Sequence, residues 1–126
     1  MSDVMFFKDY KGRYKLVPGY AFAIGDNGTL INLRFQREKK PTYNSKSGLA
    51  QVLLMSEGKY SMKYIHRLVA EAWLDNPHNY PYITHINGDV RDNRVENLRW
   101  ISVDEFKQMQ SNRLKAYNNN RKKNDN

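Results

Sequence analysis

The sequence predicts an α+β fold, a small N-terminal β module followed by a strand–loop–strand and helix core, and three observations carry this reading. Aromatic and β-branched runs flank the turn signal Gly25-Asp26-Asn27-Gly28. An apolar stripe at helical spacing runs through Ile65, Leu68, Val69, Ala72 and Trp73. A short apolar strand ends at His85, crosses a polar loop, and returns as a second strand ending at Trp100.

Taken in order, residues 1 to about 19 mix aromatic and basic side chains without periodicity and define no element. Tyr20 to Ile24 and Thr29 to Leu33 read as a hairpin, because Asn and Gly tolerate the positive φ that a tight turn demands. Arg34 to Pro41 is a basic exit, and Asn44 to Gly48 is a second loop. Strands are expected at Leu49 to Met55 and Tyr60 to Ile65. In the helix that follows, Arg67 and Glu71 stand four residues apart and can pair, and Asn76-Pro77 ends it, since proline disfavours helical geometry in the residue before it. After the second strand, Ser102-Val103-Asp104-Glu105 has the spacing of a capping box, so a last helix starts near Val103 and runs to about Tyr117. Val103, Phe106, Met109, Leu114 and Tyr117 fall near one face of it. The division expected is therefore 1–58 for the β module, 59–117 for the core and 118–126 for a polar, basic, disordered tail.

Composition narrows the partners. The chain has 126 residues, enough for a modest core, with 21 Lys plus Arg against 13 Asp plus Glu and a net charge of +8. This excess points to a polyanion, nucleic acid first. A membrane surface attracts the same charge, but no apolar run is long enough to span a bilayer and no long basic amphipathic face is present. Without cysteine there are no disulfides and no thiolate-bound zinc, and three histidines without close spacing do not make a structural zinc site. His78, after Pro77, reads as solvent-exposed. The N-terminus lacks a secretory apolar stretch, so the protein is expected in the cytoplasm of the cell that makes it.

The segment Ile83 to Trp100 carries the chemistry. Its pattern, H-x-N-G-x4-N-R-x2-N-L-x-W, joins His85, Asn87, Gly88, Asn93, Arg94, Asn97, Leu98 and Trp100, and His66-Arg67-Leu68-Val69-Ala70-Glu71-Ala72-Trp73 precedes it. Together these residues resemble the core of the HNH endonucleases, whose fold is the ββα-metal motif, in the subgroup found in phage and intron-encoded homing enzymes. The resemblance spans roughly residues 19 to 110, with Gly19 to Leu33 similar to the small β module that often precedes the core.

The resemblance implies an HNH-type DNA endonuclease that nicks double-stranded DNA in a bacterial host cell, using a histidine general base and a divalent cation, commonly Mg2+. His85 matches the base, a role suited to imidazole because histidine titrates near neutral pH. Asn97 matches the residue that braces the loop and orients that histidine, Asn93 is the other loop asparagine, and Gly88 permits the tight turn. His66 either contacts the hairpin or a phosphate, or is a packed or capping side chain.

At the metal the chain departs from the family pattern. The position before the base, usually Asp, Asn or His, is Thr84, and the ligand position on the last helix is Phe106. A threonine hydroxyl is a weak ligand and a phenyl ring is none. Three readings stay open. Water and phosphate oxygens complete a Mg2+ shell with Asp104, Glu105 or Asp92; or the site has lost its metal and binds DNA without cutting; or it cuts slowly without tight metal dependence.

DNA contacts are expected from Arg91, Arg94 and Arg99 around the loop, from Arg34, Arg37, Lys39 and Lys40 beside the N-terminal hairpin, and from Arg113 with the basic residues after it. A two-stranded ribbon fits a major groove, which makes that hairpin the candidate reader of sequence. The alternative to an enzyme is a catalytically degenerate HNH-fold protein that regulates DNA transactions or inhibits a host or phage protein. RNA binding fits the charge and nine tyrosines, but no stretch matches the aromatic recognition strands of common RNA modules.

Overall fold

The computed structural model describes the backbone of residues 3–124 and the side chains of residues 3–118. Among the described residues, ten strands and two α-helices occur in the order β1 (Met5–Phe7), β2 (Tyr10–Leu16), β3 (Phe22–Gly25), β4 (Leu30–Asn32), β5 (Arg37–Glu38), β6 (Thr42–Tyr43), β7 (Ala50–Ser56), β8 (Lys59–Tyr64), α1 (Ile65–Trp73), β9 (Tyr82–His85), β10 (Leu98–Ile101) and α2 (Val103–Asn124). They form an antiparallel five-stranded sheet, β1 to β5 in chain order, a three-stranded sheet β6–β7–β8, and the two-stranded ribbon β9–β10.

The expected hairpin is β3–β4, with Ala23 opposite Ile31 and Ile24 opposite Leu30. The segment before it, which defined no element in the sequence, supplies two further strands. Tyr14 of β2 is fully buried with Ala23 and Ile31, ringed by Met5, Phe7 and Tyr10. Its hydroxyl donates to the Lys11 carbonyl at 2.8 Å, which satisfies the polar end of a buried ring. The basic exit also orders in part, since β5 pairs with β4 through Ile31–Glu38 and Asn32–Arg37.

The main core crosses the expected boundary at residue 58. Val17, just after β2, and Ile24 and Leu30 of the five-stranded sheet pack with Val52 and Leu54 of β7, Ile65, Leu68 and Val69 of α1, and Leu98 of β10. The β7–β8 hairpin itself spans residue 58, with Ser56 opposite Lys59. Helix α1 buries Ile65, Leu68 and Val69 of the stripe read from its spacing, with Ala72 and Trp73 partly buried, and Arg67 pairs with Glu71 at 3.4 Å. It stops at Trp73, earlier than Pro77 requires. Leu74 is already extended, Lys15 donates to the Ala72 carbonyl at 3.1 Å, and Trp73 Nε1 donates to the Ile24 carbonyl at 3.1 Å. The sheet therefore ends this helix.

At α2, Ser102 Oγ accepts the Glu105 backbone N–H at 3.1 Å as expected of a cap. The reciprocal half of the box is absent, because the Glu105 carboxylate takes both Arg99 guanidinium nitrogens, at 3.1 and 2.7 Å. The helix continues through Asn124, past the expected end at Tyr117, and Leu114 and Tyr117 are exposed on it.

Leu54 is fully buried in the core shared by both sides of residue 58. Leu54→Ala is expected to cost roughly 2–5 kcal/mol, and urea unfolding followed by far-UV and tyrosine signals should give one coincident transition; two separated transitions would contradict a shared core.

Candidate active site and nucleic-acid interface

Strands β9 and β10 hold the ends of the polar loop in register, Leu98 opposite His85 and Arg99 opposite Thr84. The Ile86 N–H donates to the Asn97 carbonyl at 2.8 Å, and the Gly88 N–H turns back on the His85 carbonyl at 3.0 Å. Gly88 lies at φ +79°, the left-handed region expected of it.

Inside this frame the two loop asparagines divide the work differently from the expectation. Asn97 is buried; its Nδ2 donates to Asn87 Oδ1 at 3.0 Å and to the Asp92 carbonyl at 2.9 Å, while its Oδ1 accepts the Asn87 N–H at 3.0 Å. None of these bonds goes to His85. The ring is held by Asn93, also buried, whose Oδ1 lies 2.7 Å from His85 Nε2. An amide oxygen only accepts, so Nε2 carries the proton and Nδ1 keeps its lone pair. Asn97 thus ties the loop, and Asn93 fixes the histidine.

His85 opens onto a cleft of about 550 Å³ whose lining includes Thr84, His66 and Arg67 of α1, Phe106 and Arg113 of α2, and Lys46 of the loop before β7. Sequence reasoning missed Lys46 and gave Arg67 only a structural pairing. No spacing rule joins residue 46 to residue 85; the contact that brings the loops together is tertiary, as at Gly48, where a Cβ would lie 3.3 Å from Val90.

The carboxylates expected to help a cation are engaged elsewhere or outside the cleft. Asp92 is held by the Arg94 guanidinium at 2.8 Å and by Asn87 Nδ2 at 2.9 Å, and the Arg94 hydrogen bond keeps its carboxyl well below the usual range. Glu105 is likewise lowered by its bond from Arg99. Asp104 is exposed and lines no part of the cleft, and among the described residues no Asp or Glu does. Thr84 is buried at 8% exposure, and Phe106 stacks on Tyr82 with ring centroids 4.0 Å apart. Among the described residues, no three His, Asp or Glu side chains gather to hold a metal. The donor set present therefore does not fit the divalent cation that HNH endonucleases generally use.

The basic residues separate into two groups. Arg94 pairs with Asp92 and Glu96, Arg99 with Glu105, and the Arg91 guanidinium sits 3.9 Å from the Tyr43 ring centroid. Arg34, Arg37 and Lys40 are exposed around β4 and β5, with Lys39 half-buried. His78 is exposed against Tyr80, as its place after Pro77 implied.

His66 faces His85 with ring centroids 5.2 Å apart, and its Nδ1 is buried without a hydrogen-bond partner among the described residues. Burial, then the neighbouring His85 and Arg67, push its pKa down to about 4 from 6.5. Between these values the unfolded chain binds the proton and the folded chain does not, so stability falls as pH drops from 6.5 towards 4. His66→Gln should flatten that part of the stability–pH curve in urea titrations; an unchanged slope would show that His66 titrates as it does in the unfolded chain.

No family profile matches the chain. Among curated proteins it is 31% identical over 100 residues to the uncharacterized HNH endonuclease L245 of Acanthamoeba polyphaga mimivirus, covering 79% of this chain and 30% of that protein. It is 51% identical over 45 residues to the uncharacterized HNH endonuclease L247 of the same virus, covering 34% of this chain and 11% of that protein. The chain thus spans less than a third of the length of these relatives, which come from a giant virus rather than from the phage setting the motif suggested. Among solved structures it is similar to one described as DNA binding and cleavage by the HNH homing endonuclease I-HmuI, with a TM-score of 0.71, 24% identity, and coverage of 79% of this chain and 58% of that one. The likenesses to curated HNH endonucleases support the HNH family for this chain, and the solved neighbour gives it a homing-endonuclease-like fold.

Proposed function

We propose that the chain is a DNA endonuclease of HNH type that nicks one strand of a duplex, with His85 as its general base. The observation that carries this reading is the bond between His85 Nε2 and Asn93 Oδ1 at 2.7 Å. With Nε2 committed as donor, Nδ1 takes the proton of an attacking water, and the Asn93 carbonyl stabilises the imidazolium that results. Asn97 is a positioning residue that keeps the loop, and through it Asn93, in place. The phosphate is seated by Lys46 and Arg113, which line the same cleft, while Arg67 at its edge is already engaged by Glu71 and the Pro81 carbonyl. Arg34, Arg37, Lys39 and Lys40 give the β4–β5 side a separate basic edge that suits a DNA groove. Arg91, Arg94 and Arg99, with their guanidinium groups already stacked or paired, act first as loop braces.

Because the cleft does not supply the family's metal donors, cleavage is weak, and Mg2+ is not held tightly by the chain. The same observation favours one second reading, an HNH-fold protein that binds DNA to regulate or block another activity without cutting.

Three measurements separate these readings. Wild-type protein should nick supercoiled plasmid, and His85→Ala should abolish nicking while leaving duplex binding within about twofold; nicking that survives His85→Ala sinks the catalytic reading. Thr84→Asp combined with Phe106→Asn should raise the Mg2+-dependent rate about tenfold or more, on the scale of a restored charge-stabilising group, and an absence of gain would show that the missing donors are not what limits the site. Finally, Lys46→Ala and Arg113→Ala should each lower the slope of log K against log salt by about one; unchanged slopes would remove them from the phosphate seat.

A further inference from the structure

We propose that the β3–β4 turn of the N-terminal sheet is a positioning element for His85, and that Gly28 is the residue through which it acts. The inference rests on the reading of His85 as general base and adds a residue that lies far from it in sequence.

The turn is docked on the polar loop by two separate contacts. The Val95 N–H donates to the Asp26 carbonyl at 2.8 Å, tying the turn to the residue two places after Asn93. At Gly28 the backbone approaches Asn93 so closely that a Cβ would lie 3.1 Å from the Asn93 carbonyl oxygen, 3.2 Å from its Cβ and 3.3 Å from its carbonyl carbon. These are a rigid backbone and the root of a side chain, not the free end of a flexible one. A methyl group at residue 28 therefore moves Asn93 or lifts the turn. Asn93 is buried, and its Oδ1 is the partner of His85 Nε2 at 2.7 Å, so a displacement of a few tenths of an ångström at Asn93 reaches the imidazole through one short bond. The turn is held from its other side by Arg13, whose backbone N–H and Nε donate to the Asp26 carboxylate at 3.2 and 3.0 Å.

Gly58 provides a matched control. It also lies in the left-handed region, at φ +77° against +87° for Gly28, but a Cβ there meets nothing within 4 Å. Alanine at either position carries the same backbone strain, and only at residue 28 does it press on Asn93.

The experiment compares Gly28→Ala and Gly58→Ala in plasmid nicking and in the NMR signals of the His85 ring and the Asn93 side-chain amide. Gly28→Ala should lower kcat by about tenfold or more, as misplacement of a catalytic group does, with KM unchanged within about twofold, and should shift both sets of signals; Gly58→Ala should leave rate and signals near wild type. Equal behaviour of the two variants overturns the proposal. If wild type does not nick, the reading of His85 as base fails, and the signals alone decide the positioning: moved by Gly28→Ala it stands, unmoved it falls. Should Gly28→Ala not fold, Asp26→Ala, which releases the turn from Arg13 without touching Asn93, must shift the same signals, and an absence of shift overturns the proposal.

Discussion

The single hydrogen bond between Asn93 Oδ1 and His85 Nε2 is the constraint on which the rest of the site depends. It sets the tautomer, and so decides which nitrogen keeps a lone pair. A lone amide at the edge of a twelve-residue loop would not hold a ring still. Here Asn93 and Asn97 are both buried, and leaving either unpaired would cost about 1–3 kcal/mol, which ties the loop's conformation to the completeness of its network. Asn97 meets three groups of the loop, Asn93 meets the ring, and the N-terminal turn closes over the back of Asn93. The histidine is thereby fixed by backbone from two distant parts of the chain.

Around this bond, charge is sorted by position. Asp92 and Glu105 are engaged by Arg94 and Arg99, and Lys46 and Arg113 line the cleft. Ion pairs whose arginine is half exposed to water contribute little to stability, so stability is a poor explanation for them. Their larger effect is electrostatic: negative charge is neutralised beside the cleft that receives a phosphate under the proposed function. The fold presents His85 and its loop asparagines together with a buried threonine at residue 84 and a phenyl ring at residue 106 stacked on Tyr82.

Much of this was legible in the sequence, and for physical reasons. Periodicity placed α1 because its apolar stripe faces one continuous core, and Asn-Gly placed the β3–β4 turn because few residues accept that geometry. His85 and its loop were legible because the spacing of small polar residues is dictated by the loop's own hydrogen bonds. The roles of the two asparagines were not, since Asn93 and Asn97 are chemically identical and only the fold decides which reaches the ring. Lys46 and Gly28 were invisible for a related reason: Lys46 shares a cleft lining with, and Gly28 packs on, a segment more than 35 residues away, and nothing local marks it. The first two strands were missed because their buried face is built from Tyr10 and Tyr14, interrupted by Lys, Gly and Arg that blur the alternation.

The central claim is that Asn93 holds His85 with its proton on Nε2 and its lone pair on Nδ1. Long-range proton–nitrogen NMR of the His85 ring at pH 8 tests this directly, because the two ring nitrogens have distinct shifts in each tautomer. The account predicts a ring protonated at Nε2, with the signal pattern lost in Asn93→Ala. A ring protonated at Nδ1, or a wild-type pattern unchanged by Asn93→Ala, would contradict it.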